Sequence, residues 1–243
     1  MDIIDSFNER CMDVEIYTQA IAFIDAIATN RKEKLKCLSY DDREIEYQPN
    51  RELQKILRAN FYLILYNLVE ATTNAIICHL QDTINDEGVN LVNLSPQIQS
   101  LYIGKWQRDL TTKQGNGCKT RIAQDLVAHV HNKEILYIKE LEINISGNVD
   151  YDFIMNGIIS KIGIPCPIMG DIKNIKKTLG RAKEFRNKLA HGDVAFSKLG
   201  AVSITSADIN NDYLLCKQFL LEVLTNYEQY IKNKSYLHSK SEE

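Results

Sequence analysis

Apolar residues recur with helical spacing over about thirty residues of this chain, from Leu53 to Leu80. Steps of three and four place them on one face of a helix. Pro49 and Asn50 precede the run and are typical of a helix start, and Gly88 follows it where a helix would end. The pattern predicts a long central helix over residues 50–87.

Three further stretches have the same period and predict helices over residues 2–29, 171–191 and 207–232. We expect Gly192 to end the third of the four helices in a left-handed conformation, and Ser206 or Asp208 to cap the last one. Four long helices predict a mainly all-α fold, a helical bundle that forms a single domain over residues 1–243.

The segment between the second and third long helices, residues 90–168, predicts a small irregular or β-containing insertion. Its helical patterns cover residues 95–110, 119–131 and 151–162, whereas residues 136–146 alternate partly between apolar and polar side chains, as a strand does. Outside the insertion, residues 30–47 are charged and turn-like, and residues 194–205 fit a short hairpin or an extended loop.

The composition is that of an ordinary soluble globular protein, with 44% hydrophobic residues, 25% charged residues and a net charge of −3. The longest apolar run, residues 61–69, is shorter than the ~18 residues that a membrane span needs. The N-terminus carries acidic residues where a signal peptide carries basic ones. The six cysteines are single, without the spacing of a zinc site. We therefore expect a cytoplasmic protein with reduced thiols, no metal site and no membrane partner.

Residues 171–188 carry seven cations against two anions, in contrast to the slightly acidic chain. On a helical projection, four of the cations lie opposite the apolar face: Lys173, Lys177, Arg181 and Lys188. Such a charge run is either a solvated face or a surface that binds an anion. The second interpretation makes these four residues candidate contacts for RNA phosphates.

Arg186 projects within the apolar face of the same helix. A guanidinium cannot be neutralised by deprotonation, so on a packed face it needs a carboxylate, a phosphate or a subunit boundary. Asn187 follows it, and His191 lies at the predicted end of the helix, where the dipole favours an imidazolium. Arginine can hold a phosphate and histidine can transfer protons, so the three are candidate catalytic residues for phosphodiester chemistry. A purely structural role for each is the alternative.

The string over residues 186–192, Arg-Asn-Lys-Leu-Ala-His-Gly, resembles the Arg-x(4–6)-His motif of the HEPN superfamily of helical bundles. Residues 65–72 and 147–151 resemble the MAE-type and RiboL-PSP branch, so the resemblance extends over about residues 50–231. It implies a metal-independent endoribonuclease without a cofactor, in which the two protomers of a homodimer form a composite active site. It also implies a toxin or antiviral-defence effector with a cognate antitoxin or NTPase partner.

Asn67, Glu70 and Asn74 form a polar stripe on the otherwise apolar central helix. These side chains are either solvated or cap a neighbouring helix. In the alternative interpretation, Glu70 pairs with Arg186 and orients it, which would also explain how a buried arginine is satisfied.

Three functions from different classes remain open on the sequence alone. The first is an endoribonuclease that uses Arg186 and His191. The second is a non-catalytic HEPN-like module that binds RNA, a nucleotide or a partner protein and yields no cleavage products. The third is a helical interaction subunit in which Arg186 is a paired core residue.

Overall fold

The computed structural model describes residues 3–29, 34–38, 43–112, 116–132, 143, 145, 147–200 and 204–238. Its α-helices are α1 (Ile3–Thr29), α2 (Arg51–Glu87), α3 (Pro96–Thr112), α4 (Asn116–His131), α5 (Ser160–Ile162), α6 (Ile172–Ala190), α7 (Phe196–Leu199) and α8 (Ser206–Lys232). A 3-10 turn covers Leu91–Asn93, a π-helix covers Phe153–Ile159, and two short strands, β1 (Leu35–Leu38) and β2 (Glu44–Tyr47), pair antiparallel. The prediction of a mainly all-α fold is confirmed.

The chain divides into two compact units. The first unit comprises Met1–Ala71, Gly147–Tyr151 and Met169–Leu220, and the second comprises Thr72–Ser146, Asp152–Ile168 and Leu221–Glu243. The four long helices lie close to the bounds predicted for them. The assignment of residues 1–243 to a single domain stays a prediction.

The core of the first unit is built from α1, the first part of α2, α6 and the first part of α8. Polar contacts fix how these helices pack. Asp25 on α1, only 8% exposed, accepts hydrogen bonds from Gln54 Nε2 at 2.8 Å and Arg58 Nη2 at 2.9 Å on α2. The hydroxyl of Tyr213 on α8 donates to Glu15 on α1 at 2.7 Å. Buried apolar side chains fill the space between the helices: Phe7, Val14, Ile21, Phe61, Leu65, Leu179, Phe185 and Phe219.

The second unit contains the rest of α2 and α8 together with α3, α4 and residues 152–162 of the short helical segment that the sequence predicts. Backbone and side-chain hydrogen bonds join its parts. The Ser95 N–H donates to Tyr236 O at 2.7 Å, and the Tyr230 hydroxyl donates to Ile162 O at 3.0 Å. Its apolar core includes Leu80, Ile84, Leu94, Ile98, Ile158, Val223, Leu224 and Tyr227.

Three local predictions are wrong. Within the stretch 30–47, predicted to be charged and turn-like, the described residues form the paired strands β1 and β2, and Lys36 pairs across them with Glu44 at 2.6 Å. Over residues 194–200, which the structure describes, the short helix α7 stands where the sequence predicts a hairpin or an extended loop. The last long helix is capped by Thr205, whose hydroxyl accepts the Asp208 N–H at 3.1 Å while the Asp208 carboxylate accepts the Thr205 N–H at 2.8 Å. This reciprocal arrangement is a capping box.

Two further expectations concern the insertion and the membrane. The strand predicted over 136–146 lies outside the described residues except for Ile143 and Ile145, and neither of these is in a strand.

Among the described helices, α2 alone is long and apolar enough to cross a bilayer by length and composition, although 56% of its most apolar window is buried. Burial of this kind is typical of a helix in the core of a protein.

Candidate active site on the basic helix

The ends of α6 are fixed by local hydrogen bonds. At its start the Asp171 carboxylate accepts the Asn174 N–H at 3.1 Å. At its end Gly192 adopts a φ of 72°, as predicted, and its N–H donates to Leu189 O at 3.2 Å while the Asp193 N–H donates to Lys188 O at 3.1 Å. These two bonds form a Schellman motif, which leaves His191 exposed at the C-terminal end of the helix.

Arg186 is half-buried and is held on two sides. Its Cζ lies 5.6 Å from the ring centroid of Tyr66, within the range of a cation–π contact. Against it lies Gly147, where an added Cβ would sit only 2.9 Å from both terminal nitrogens of the guanidinium. Nη1 donates to Asn187 Oδ1 at 3.2 Å. The guanidinium is therefore confined between an aromatic ring and a backbone.

The segment Gly147–Tyr151 runs along α6 and makes a contact at nearly every residue. Asn187 Nδ2 donates to Asn148 Oδ1 at 3.4 Å, Lys183 forms an ion pair with Asp150, and Lys176 lies 5.1 Å from the centroid of the Tyr151 ring. Three of the predicted helix cations thus contact this segment of the same chain: Lys176, Lys183 and Arg186.

Tyr66 connects this segment to α2. Its hydroxyl accepts the Val149 N–H at 3.1 Å in a buried position. Burial raises the pKa of the Tyr66 phenol, the nearby carboxylates of Glu70 and Asp150 raise it further, and the Val149 N–H and Arg186 lower it. A neutral phenol is therefore maintained beneath the guanidinium.

The structure does not show the pairing of Glu70 with Arg186 that one interpretation of the sequence predicts. In the described part of the chain no ion pair within 4.0 Å joins the two, although both lie close enough to Tyr66 to shift its pKa. Asn67 is exposed, and Asn74 is exposed on the part of α2 that belongs to the second unit. A supporting role for these three residues stays a prediction.

The four basic residues predicted to share one solvated side differ in their contacts. The expectation for Arg181 is wrong, because its side chain is only 25% exposed and bonds Asp212 at 2.8 Å and the Tyr62 hydroxyl at 2.9 Å. Lys188 forms an exposed pair with Glu184 at 2.6 Å. Lys173 and Lys177 are exposed, and neither has an ion pair within 4.0 Å among the described residues. RNA binding by any of the four stays a prediction.

Helix geometry does not place Arg186 and His191 on one face. They are five positions apart, which corresponds on an ideal helix to a rotation of roughly 140° about the axis. In the described structure of one chain, no hydrogen bond links the two side chains. The structure therefore brings Arg186 together with Asn187 but does not bring Arg186 together with His191.

Sequence reasoning missed two residues of this site, Tyr66 and Gly147. Each is separated from Arg186 by many residues in the sequence, so no helical period connects them to it. Both lie within the stretches that carry the family resemblance, residues 65–72 and 147–151, and this resemblance is the signal that could have identified them.

The described residues contain no cluster of three or more His, Cys, Asp or Glu side chains that could hold a metal ion.

The fold and the motif together define a mainly α-helical protein of the HEPN superfamily. The chain belongs to the MAE_28990-like HEPN family, whose model matches residues 4–236. No curated protein matches the chain. No solved structure matches it either.

Proposed function

We propose that this HEPN protein is a metal-independent endoribonuclease whose catalytic residues are Arg186, Asn187 and His191. The observation that carries the proposal is the confinement of the Arg186 guanidinium beside Asn187 on α6, with Nη1 bonded to the neighbouring amide at 3.2 Å. A planar guanidinium offers five N–H donors, and its remaining donors suit two oxygens of one phosphate.

In the proposed reaction, the 2′-hydroxyl of RNA attacks the adjacent phosphorus and the bond from phosphorus to the 5′-oxygen breaks. The products are a 2′,3′-cyclic phosphate and a 5′-hydroxyl. Arg186 stabilises the additional negative charge on the non-bridging oxygens, and Asn187 orients the phosphate. His191 either accepts the proton of the 2′-hydroxyl or donates a proton to the leaving 5′-oxygen.

The proposal includes a homodimer, because no hydrogen bond links the Arg186 and His191 side chains in the described structure of one chain. Two copies related by a two-fold axis could place the histidine of one protomer beside the arginine of the other. Regulation by a cognate antitoxin or an NTPase partner, a toxin or antiviral-defence role, and a cytoplasmic location are further parts of the proposal. They rest on the family alone.

The test is cleavage of a synthetic single-stranded RNA in the presence of EDTA by the wild-type protein, Arg186→Ala and His191→Ala. Both variants should lose cleavage while circular dichroism and oligomeric state are unchanged, and the wild-type products should end in a cyclic phosphate. Matched controls are Arg121→Ala, whose side chain is 84% exposed, and His131→Ala, which is exposed at the end of α4. Full activity in either site variant, or loss of wild-type activity in EDTA, would contradict the proposal.

A second candidate function is a non-catalytic module that binds RNA or a nucleotide. The exposed Lys173 and Lys177 on α6 favour it, because they have no ion pair within 4.0 Å among the described residues and such cations are available to phosphates. This function predicts salt-sensitive RNA binding by the wild-type protein and no cleavage products under any condition.

A further inference from the structure

Two tyrosine–arginine pairs occur side by side between α2 and α6. Arg181 lies 5.6 Å from the ring centroid of Tyr62, and Arg186 lies 5.6 Å from that of Tyr66. The tyrosines are four residues apart and therefore neighbours on α2. The two pairs thus have the same distance from the cation to the ring centroid and can be compared directly.

The pairs differ in what surrounds the cation. The Asp212 carboxylate accepts hydrogen bonds from both Arg181, at 2.8 Å, and the Tyr62 hydroxyl, at 2.6 Å, so the charge of this arginine is neutralised within the fold. Among the described residues, the contacts that hold Arg186 are neutral: an aromatic face, the amide of Asn187 and the backbone at Gly147. No carboxylate in the described part of the chain forms an ion pair with this arginine, so these contacts hold the guanidinium without cancelling its charge.

We propose that Tyr66 and Gly147 are positioning residues that fix the plane of the Arg186 guanidinium while leaving its charge and remaining donors for a phosphate. This inference rests on the proposed function of the site. The ring of Tyr66 supports one side of the guanidinium, and attraction between the cation and the ring face favours a flat orientation. The Tyr66 hydroxyl also anchors Val149, which holds the segment that contains Gly147.

Gly147 completes this support because a side chain at this position would be strained and would meet the guanidinium. Its φ of 60° lies in the left-handed region that favours glycine. In addition, a Cβ would lie 2.9 Å from both terminal nitrogens of Arg186, closer than real Cβ atoms approach such neighbours. Any side chain at this position therefore strains the backbone and displaces the guanidinium.

The orientation of Arg186 can be measured by NMR on the full-length protein through the Nε–H resonance of its guanidinium. The ring current of Tyr66 should shift this resonance upfield in the wild type. The shift should disappear in Tyr66→Leu and persist in Tyr66→Phe, which keeps the ring. Arg181 is an internal reference, because its own ring, Tyr62, is unchanged in these variants. An Arg186 resonance that is the same in wild type and Tyr66→Leu would overturn the inference.

Kinetics then test whether the orientation matters for the reaction. Tyr66→Leu should lower kcat for RNA cleavage by about 100-fold with a much smaller change in KM, because misplacing a catalytic group by about 1 Å has an effect of this size. Tyr66→Phe should recover most of the activity. Unchanged kcat in a folded Tyr66→Leu protein would contradict the positioning role.

Gly147→Ala provides a second test, with Gly88→Ala as its matched control. The two glycines have the same φ of 60°, so both substitutions strain the backbone equally, whereas Gly88 belongs to the second unit. Gly147→Ala should lower kcat as Tyr66→Leu does, and Gly88→Ala should not. If the wild-type protein cleaves no RNA, the proposed function fails, and the NMR result alone decides whether Tyr66 orients Arg186.

Discussion

Arg181 on α6 donates a hydrogen bond to the Asp212 carboxylate on α8 at 2.8 Å, and Thr178 donates to the other oxygen of the same carboxylate at 2.7 Å. This pair joins two long helices of the first unit. It also cancels one charge of the basic helix, as Asp150 does for Lys183 and Glu184 for Lys188. The net charge of residues 171–188 therefore overstates how much positive surface is available to RNA.

Arg181→Ala should lower the free energy of unfolding by about 1–3 kcal/mol. The reason is that Asp212, whose side chain is only 13% exposed, would lose its charged partner and keep a partly buried negative charge. Urea denaturation followed by circular dichroism measures the change. Lys188→Ala is the matched control: its pair with Glu184 is exposed, so it should change stability by no more than about 0.5 kcal/mol. Equal losses of stability in the two variants would show that the partly buried Arg181–Asp212 pair stabilises the fold no more than the exposed Lys188–Glu184 pair does.

Thr205→Ala should destabilise the protein by about 1 kcal/mol, because it removes the hydroxyl that accepts the Asp208 N–H at the start of α8. Thermal unfolding or urea denaturation gives the value. Thr205→Ser keeps the hydroxyl and should retain most of the stability. Ser206→Ala tests the sequence-based alternative for the cap and should have the smaller effect. A larger loss of stability in Ser206→Ala than in Thr205→Ala would show that Thr205 is not the residue that caps α8.

The long helices of this protein could be predicted from the sequence because each has an apolar period that extends over several turns. The elements that were missed are short or locally ambiguous. The strands β1 and β2 have four residues each, and cross-strand pairs such as Lys36 with Glu44 resemble a charged turn in the sequence. Helix α7 also has only four residues, too few for a helical period to be recognised.

The candidate site was predictable to the extent that it lies on one helix. Arg186 and Asn187 are adjacent on α6, so their proximity follows from the sequence. Arg181 was assigned to the solvent side because a helical projection shows only its own helix and not the Asp212 carboxylate that α8 brings to it. Tyr66 and Gly147 contact Arg186 only through tertiary packing, which no local pattern reports.

Acid pH should weaken the contact between α1 and α8. Hydrogen bonds from Lys217 and Tyr213 lower the pKa of Glu15 below its ordinary value of 4.5. A carboxylate whose pKa is lowered in the folded state stabilises the protein above its unfolded pKa, and this stabilisation is lost as the pH falls through the folded pKa. The free energy of unfolding, measured from pH 6 downward, should therefore decrease below about pH 4.5.

Glu15→Gln should remove part of this pH dependence, because glutamine does not titrate. The exposed Glu9 lies on the same helix, so Glu9→Gln is the control and should leave the pH dependence close to that of the wild type. A Glu15→Gln protein with the same loss of stability in acid as the wild type would show that the Glu15 contacts contribute nothing to it.

The double variant Lys173→Ala and Lys177→Ala should weaken RNA binding, because both lysines are exposed on α6 and have no ion pair within 4.0 Å in the described chain. Each phosphate contact on a single strand contributes about 0.7 to the slope of log K against log salt, so losing two contacts should reduce the slope by about 1.4. Fluorescence anisotropy with a labelled RNA over a range of salt concentrations measures both the affinity and this slope.

The control for this measurement must remove the same charge elsewhere, since net charge alone changes affinity for RNA. Lys161→Ala with Lys232→Ala meets this need, because both lysines are exposed and both belong to the second unit. The α6 variant should lose more affinity and more salt dependence than this control. If the two double variants behave alike, RNA is attracted by overall charge, and α6 contributes no specific phosphate contacts at Lys173 and Lys177.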